Sequence, residues 1–306
     1  MLQFLVGTNI PFMRYRRFTY LFSGALIFAT AVWLILHGGP RYGVDFTGGV
    51  AVRVRSDRPV AADQMRSALD AAGFKGAELQ QLTGARGSGE FLVRMQSHSA
   101  SDPFPAIQRE VASRAGGARL ELLSTDSVGP KVGKELRQKA IWAVLGSLGW
   151  ILLYVGIRYE FKFAVGAVVA LFHDVFITLG VLCFANREIS LTVVAALLTI
   201  AGYSINDTIV VFDRIRERSK SLRKERHSRA MDIAVNETLS RTIITSMTVF
   251  FSAVALLVWG GEVLRDFSFA MVVGVAFGTY SSVYVASALA LDTWIWLDRR
   301  KGVQAE

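Results

Sequence analysis

Residues Ile189–Phe212 read ISLTVVAALLTIAGYSINDTIVVF. A helix that crosses a bilayer needs about 20 mostly apolar residues, and this stretch supplies them with one ionisable side chain, Asp207. A charge inside a span is costly, so Asp207 is a functional hypothesis by default. Comparable stretches run Phe18–Leu36, Ala140–Ile157, Phe163–Phe184, Thr238–Trp259 and Phe267–Trp294, making six predicted spans. The composition agrees. The chain has 306 residues, 52% of them hydrophobic and 19% charged, against about 25% charged in a soluble protein. Arg14, Arg16 and Arg17 precede the first run. That run is longer than the roughly 7–15 residues of a signal-peptide core, so it reads as a retained span.

Lysine and arginine are shared unevenly between the connections. With a cytoplasmic N-terminus, the arm 1–17, the Arg158–Lys162 loop, the Asp213–Glu237 segment and the tail after Leu297 all lie inside. They include the basic run from Arg214 to Arg229, whereas the short outer loops hold only Arg187 and Arg265. This positive-inside bias sets the orientation and leaves Leu36–Ala140 outside. The basic run reads either as a solvated loop or as a contact with anionic membrane lipid. The net charge of +9 thus follows the topology of the spans, and no nucleic-acid partner is predicted.

No Walker A, G-x-S-x-G or H-E-x-x-H motif occurs, so no nucleotide, hydrolase or metalloprotease chemistry is predicted. The four histidines, His37, His98, His173 and His227, lack ligand spacing, so no metal or cofactor is expected. Cys183 is the single cysteine, and one thiol cannot staple an exported domain.

Between the first and second spans lie roughly 100 residues, enough for one small domain. Val50–Arg55 alternates apolar and charged side chains as a half-buried strand does. Val60–Ala72 reads as a helix. Ala77–Leu82 and Glu90–Gln96 read as strands joined by a turn at Gly84, Gly87, Ser88 and Gly89, Pro103–Ala115 as a second helix and Arg119–Ser124 as a last strand. The order β-α-β-β-α-β is that of the ferredoxin-like split motif. The predicted fold is therefore a membrane all-α six-helix bundle with an inserted α+β ferredoxin-like domain. Its parts are an arm 1–17, a span 18–36, the outer domain 37–139, a five-helix transmembrane region 140–294 with a basic loop at about 213–237, and a tail 295–306.

Ionisable groups inside the spans are Asp174, Asp207 and Arg241. Asp207 lies about 8–9 Å from the inner end of its span and Arg241 about 5 Å from that of the next, at ~1.5 Å per residue. The two are placed to meet at similar depth. Thr245, Thr248 and Ser252 share the Arg241 face, and Tyr203 and Ser204 sit one turn before Asp207. Polar stripes of this kind belong in a bundle interior or along water. Burial favours the neutral acid while a guanidinium favours the carboxylate. A pair that opens and closes would take up and release a proton; a pair that stays closed would only fix helix register. Asp174 and His173 lie in mid-span, Asp174 with Gly166, Ala170 and Thr178 on its face. A proton relay and interhelical hydrogen bonding both suit Asp174, and a packed or hydrogen-bonded role suits His173. The last span carries Ala270, Gly274, Gly278, Ser282, Ala286 and Ala290 at four-residue steps, a stripe that admits another helix at close range. Trp294 and Trp296 fit an interfacial belt, with Asp292 and Asp298 beside them.

Three motifs point to one family. Gly43-Val44-Asp45-Phe46-Thr47-Gly48-Gly49 resembles the G-x-D-F-x-G-G signature of SecF. The block Gly202–Glu217 and the start of the fifth span, Asn236–Thr242, resemble that family's fourth- and fifth-span signatures. The resemblance implies one half of a transporter of the resistance-nodulation-division (RND) type. It also implies a separate SecD partner, association with the SecYEG channel, SecA and YajC, an unfolded exported polypeptide as cargo, and residence in the bacterial inner membrane. It favours the relay reading, with protons as the coupling ion and sodium the alternative. The candidate relay residues are Asp207, Arg241, Asp174 and Asn206. A passive scaffold and a small-molecule or lipid efflux component are the competing functions. The Asp45–Gly49 turn has no following Lys-Ser/Thr and enters a strand, so it reads as a tight turn, with Asp45 capping backbone amides, rather than a phosphate cradle.

Overall fold

The structure is a computed structural model that describes residues 8–82, 89–95, 102–222, 225–261 and 264–300. In chain order its elements are a 3₁₀ turn Phe12–Tyr15, α1 (Arg16–Leu36), α2 (Val44–Thr47), β1 (Gly49–Ser56), α3 (Ala62–Ala71), β2 (Glu78–Leu82), β3 (Glu90–Met95), α4 (Phe104–Arg114) and β4 (Leu120–Val128). There follow α5 (Pro130–Arg158), α6 (Phe161–Phe184), α7 (Leu191–Ser221), α8 (His227–Trp259), α9 (Arg265–Tyr280), a π-helical turn Ser281–Ala286 and α10 (Ser287–Arg300). The chain divides into two compact units, Tyr42–Ile141 and the remainder.

Among the described residues, six helical segments are long and apolar enough to cross a membrane: Phe12–Leu36, Lys131–Arg158, Phe161–Phe184, Leu191–Ser221, His227–Trp259 and Arg265–Arg300. Large apolar side chains point outward on α1 (Phe18, Leu21, Phe28, Ile35) and on α5 (Trp142, Leu145, Trp150, Ile157). Such an exterior suits lipid, where the helix satisfies its own backbone. The core, by contrast, holds Phe163, Phe212, Ile215, Met231, Val235 and Ala286.

The segment Asp213–Glu237 is not the loop expected from its charge. The helix α7 continues to Ser221 and α8 begins at His227. Glu237 accepts from Arg214 at 2.7 Å and from Arg218 at 2.5 Å, holding the two polar helix ends together; Arg223 and Lys224 lie outside the described residues. The tail is likewise helical as far as Arg300, with Asp298 on His227 at 2.9 Å and Trp294 stacked on the same ring; residues 301–306 are outside the described set. In the N-terminal arm, Phe12 and Met13 are buried in the bundle. Asp232 accepts from the Met13 amide at 2.9 Å and Asn236 from that of Ile10 at 3.0 Å.

The small-residue stripe finds its partners within the chain. A Cβ on Gly166 of α6 would stand 2.6 Å from the Ala286 carbonyl, and one on Gly274 would overlap Ile200 of α7. Four-residue steps overshoot a turn of about 3.6 residues. The π turn at Ser281–Ala286, with its wider i→i+5 spacing, takes up that excess and keeps the stripe on one side.

In the other unit, the strands form an antiparallel sheet of order β2-β3-β1-β4. Its alternation is the reason it folds: Val50, Val52, Val54, Phe91, Val93 and Met95 face Met65, Leu69, Ile107 and Val111 of α3 and α4. β4 runs to Val128, beyond the predicted Ser124. Its far half, Thr125-Asp126-Ser127, carries little apolar signal because this edge strand is largely exposed. The predicted turn at Gly84, Gly87 and Ser88 lies outside the described residues.

Candidate ion-coupling site

Serine 190 caps α7 by accepting from the Val193 amide at 3.3 Å. From that start the helix carries Tyr203, Ser204 and Asp207 inward along one side. Asp207 is 3% exposed. Its carboxylate accepts from Ser246 of α8 at 3.4 Å. The Tyr203 hydroxyl donates to the same Ser246 oxygen at 2.9 Å, and Thr279 of α9 lies 2.8 Å from it. Thr245 also reaches the carboxylate. Ser246 thus joins three helices at the acid, yet neither it nor Thr279 stood out in the sequence. The available signal was a hydroxyl one residue off the Arg241 stripe, inside an apolar run.

Arg241 acts on Asp207 through space. Among the described residues the two form no direct ion pair, so the closed pair expected from their depths is absent here. Arg241 is exposed, as are Thr248 and Ser252 further along the same face. Of the two settings expected for this stripe, a bundle interior or a water path, the single chain does not provide the first. The physical reason is local: Thr245 donates to the Arg241 carbonyl at 2.9 Å, Thr248 to that of Thr245 at 2.7 Å and Ser252 to that of Thr248 at 2.9 Å. The helix satisfies its own hydroxyls. On α7, Thr192, Ala195, Thr199, Gly202 and Asn206 are exposed too. Asn206 hence faces away from the buried Asp207 network. Together α7 and α8 carry small and polar exposed residues at membrane depth.

Asp174 and His173 form a separate cluster. Both are almost fully buried, at 0% and 1% exposure. His173 Nδ1 is 2.9 Å from Asp174 Oδ1, and its Nε2 is 3.0 Å from Ser23 of α1. Ser204 and Ser281 donate to the other carboxylate oxygen, Ser281 at 2.6 Å. Gly166, Ala170 and Thr178 are buried on the same helix.

In the α+β unit the glycine motif is a single helical turn. Gly43 is its N-cap, Asp45 sits in its first turn and Phe46 is buried. Gly48 (φ 76°) and Gly49 (φ 118°) adopt backbone angles that side chains disfavour. A Cβ on Gly133 would stand 3.0 Å from the Gly48 amide nitrogen, so α5 passes this turn at close range.

Among the described residues, six membrane-length helices, an inserted antiparallel α+β unit and carboxylates buried among the helices define a multi-pass membrane protein. The SecD/SecF C-terminal model, of a protein export membrane protein, matches residues 108–295, and the SecD/SecF GG motif matches residues 33–60. The chain belongs to the SecF family. It is 43% identical to the protein translocase subunit SecF of Vibrio alginolyticus, over 97% of this chain and 94% of that one. With SecF of Thermodesulfovibrio yellowstonii the identity is 39%, over 95% and 97%. The crystal structure of SecDF from Thermus thermophilus, described as a translocon-associated membrane protein, matches with a TM-score of 0.85 at 40% identity. That match covers 97% of this chain and 40% of the SecDF chain.

Proposed function

We propose that this chain is one half of an ion-driven device that assists late protein export, with Asp207 as the proton carrier and Arg241 as its charge partner. The observation that carries the reading is the exposed Arg241 on a polar face beside the buried Asp207. A charge is costly against lipid, so the face that bears Arg241 calls for a protein partner or a water path. In SecDF the matched region is 40% of the chain, which leaves room there for a SecD half; a SecD-type subunit covering α7 and α8 is the partner proposed here. The α+β unit, which we read as ferredoxin-like, would then stand on the periplasmic side of the bacterial inner membrane. There it meets unfolded polypeptide leaving a SecYEG channel driven by SecA, with YajC as a further associate. The driving force is ample: one charge crossing 100 mV releases about 2.3 kcal/mol, comparable with the few kcal/mol that separate two helix packings.

The test is export into vesicles carrying the channel, the partner subunit and this chain, with and without an ion gradient. Asp207→Asn and Arg241→Met should assemble normally and lose the gradient's stimulation. Normal stimulation in both would remove the coupling role, and failed assembly would make the pair structural.

A further inference from the structure

The Asp207 network is not the only buried titratable cluster. The His173–Asp174 dyad lies where α1, α6, α7 and the π turn meet, and it is tied into each: Ser23 from α1, Ser204 from α7 and Ser281 from the first residue of the π turn. Isolated π turns within α-helices occur often at functional sites. Here the π turn brings Ser281 onto the carboxylate while its hydroxyl also lies 3.1 Å from the Gly278 carbonyl.

Two polar groups lie in succession along α1 between its Arg16 end and the dyad. Arg16, Tyr20 and Ser23 share one face of α1 by their spacing. Asp292 of α10 pairs with Arg16 at 3.2 Å and accepts from Tyr20 at 2.7 Å, and both members of the ion pair remain partly exposed. One turn further, about 4.5 Å along the axis, Ser23 touches both His173 and the Tyr280 hydroxyl, the latter at 3.2 Å. On the other side Ser204 stands one turn from Asp207 on α7.

We propose that the His173–Asp174 dyad is a second proton-binding site of this protein, loaded from the Arg16–Asp292 end through Tyr20, Ser23 and Tyr280. The unloaded dyad is a carboxylate hydrogen-bonded to a neutral imidazole, with net charge −1. Uptake of one proton from water forms one N–H or O–H bond and makes the pair net neutral, as imidazolium with carboxylate or imidazole with carboxylic acid. The site selects a proton over a metal cation. Its carboxylate oxygens are already engaged by the imidazole and two hydroxyls. Other titratable or charged side chains on the elements packed around it include Tyr20 and Arg16 on α1, Tyr203 and Asp207 on α7, Tyr280 on α9, Tyr284 in the π turn and Asp292 on α10. Proton binding itself stands apart from the export reading; only what the bound proton drives rests on that reading.

The test is infrared difference spectroscopy of the full chain in lipid vesicles, titrated from pH about 4 to about 9, watching protonated-carboxyl and imidazole bands. The wild type should show a titrating signal that Asp174→Asn removes, His173→Gln shifts in midpoint and Asp207→Asn leaves in place. Sodium at constant pH should not move it. Identical spectra for wild type and Asp174→Asn overturn the proposal, and so does a signal that follows sodium. Near-native unfolding temperatures of both dyad variants establish that each remains folded. Should the dyad signal be absent while Asp207→Asn still abolishes gradient-stimulated export, this inference alone fails. The reverse result would leave the dyad and remove the coupling role of Asp207.

Discussion

Ser246 donates its hydroxyl to the Asp207 carboxylate from the neighbouring helix at 3.4 Å. The bond is long, and the Ser246 oxygen is shared with Tyr203 and Thr279. The acid is thus held by a weak hydroxyl hub that joins α7, α8 and α9, while the guanidinium of Arg241 acts from a distance. A carboxylate held this way can change charge without breaking a strong ion pair.

Removal of the hub is one consequence to measure. Ser246→Ala leaves Tyr203 and Thr279 without their shared oxygen and Asp207 without its Ser246 donor. An unsatisfied buried polar group costs about 1–3 kcal/mol, so thermal unfolding of the purified chain should fall by that order. Gradient-stimulated export should drop as well. Ser246→Thr keeps the hydroxyl and should recover most of both; an Ala variant with unchanged stability and export would deny the hub its role.

Arg241 offers a sharper contrast. Acting through space, it contributes charge rather than a bidentate fork, and lysine carries the same charge. Arg241→Lys should therefore keep most gradient-stimulated export, while Arg241→Met loses it. Equal loss in both would mean that the guanidinium fork makes a specific contact with the partner.

Two glycines separate packing inside the chain from packing against the partner. Gly166→Ala drives a Cβ to 2.6 Å from the Ala286 carbonyl, and overpacking of this kind costs about 1–3 kcal/mol. Gly202 is exposed, and a Cβ added to it would meet nothing within 4 Å. Gly202→Leu should leave unfolding of the single chain unchanged yet weaken co-purification with the SecD-type subunit. Normal co-purification would place the partner on another face.

Tyr159, in the connection between α5 and α6, sets a pH expectation. Burial, aided by the Asp213 carboxylate at 3.1 Å, pushes its hydroxyl up to about 12. The protonated form is thus favoured in the folded state. Its contribution is complete below the unfolded value near 10 and is lost as pH rises through about 12. Comparing wild type with Tyr159→Phe, the stability difference should stay constant up to pH about 10 and shift against the wild type above it. A difference independent of pH throughout would contradict this.

The spans were legible because apolar length is a local property, and the strands around Val52 and Val93 because period-two alternation is equally local. Helix ends were not: polar helices such as the Arg214–Ser221 stretch persist through interhelical pairing to Glu237, which no local window contains. The π turn at Ser281 left only an indirect trace, in a small-residue stripe too regular for a straight helix. Asp207, Asp174 and Arg241 announced themselves as ionisable groups in apolar runs. Ser246, Thr279 and Ser23 did not, because a lone hydroxyl is cheap in a membrane helix and its meaning depends on which helix it faces.

The most direct measurement is ion flux. In sealed vesicles holding this chain with a SecD-type subunit, an enclosed pH-sensitive dye should report gradient-driven proton movement that Asp207→Asn abolishes while assembly persists. Undiminished flux through the Asp207→Asn protein would contradict the account.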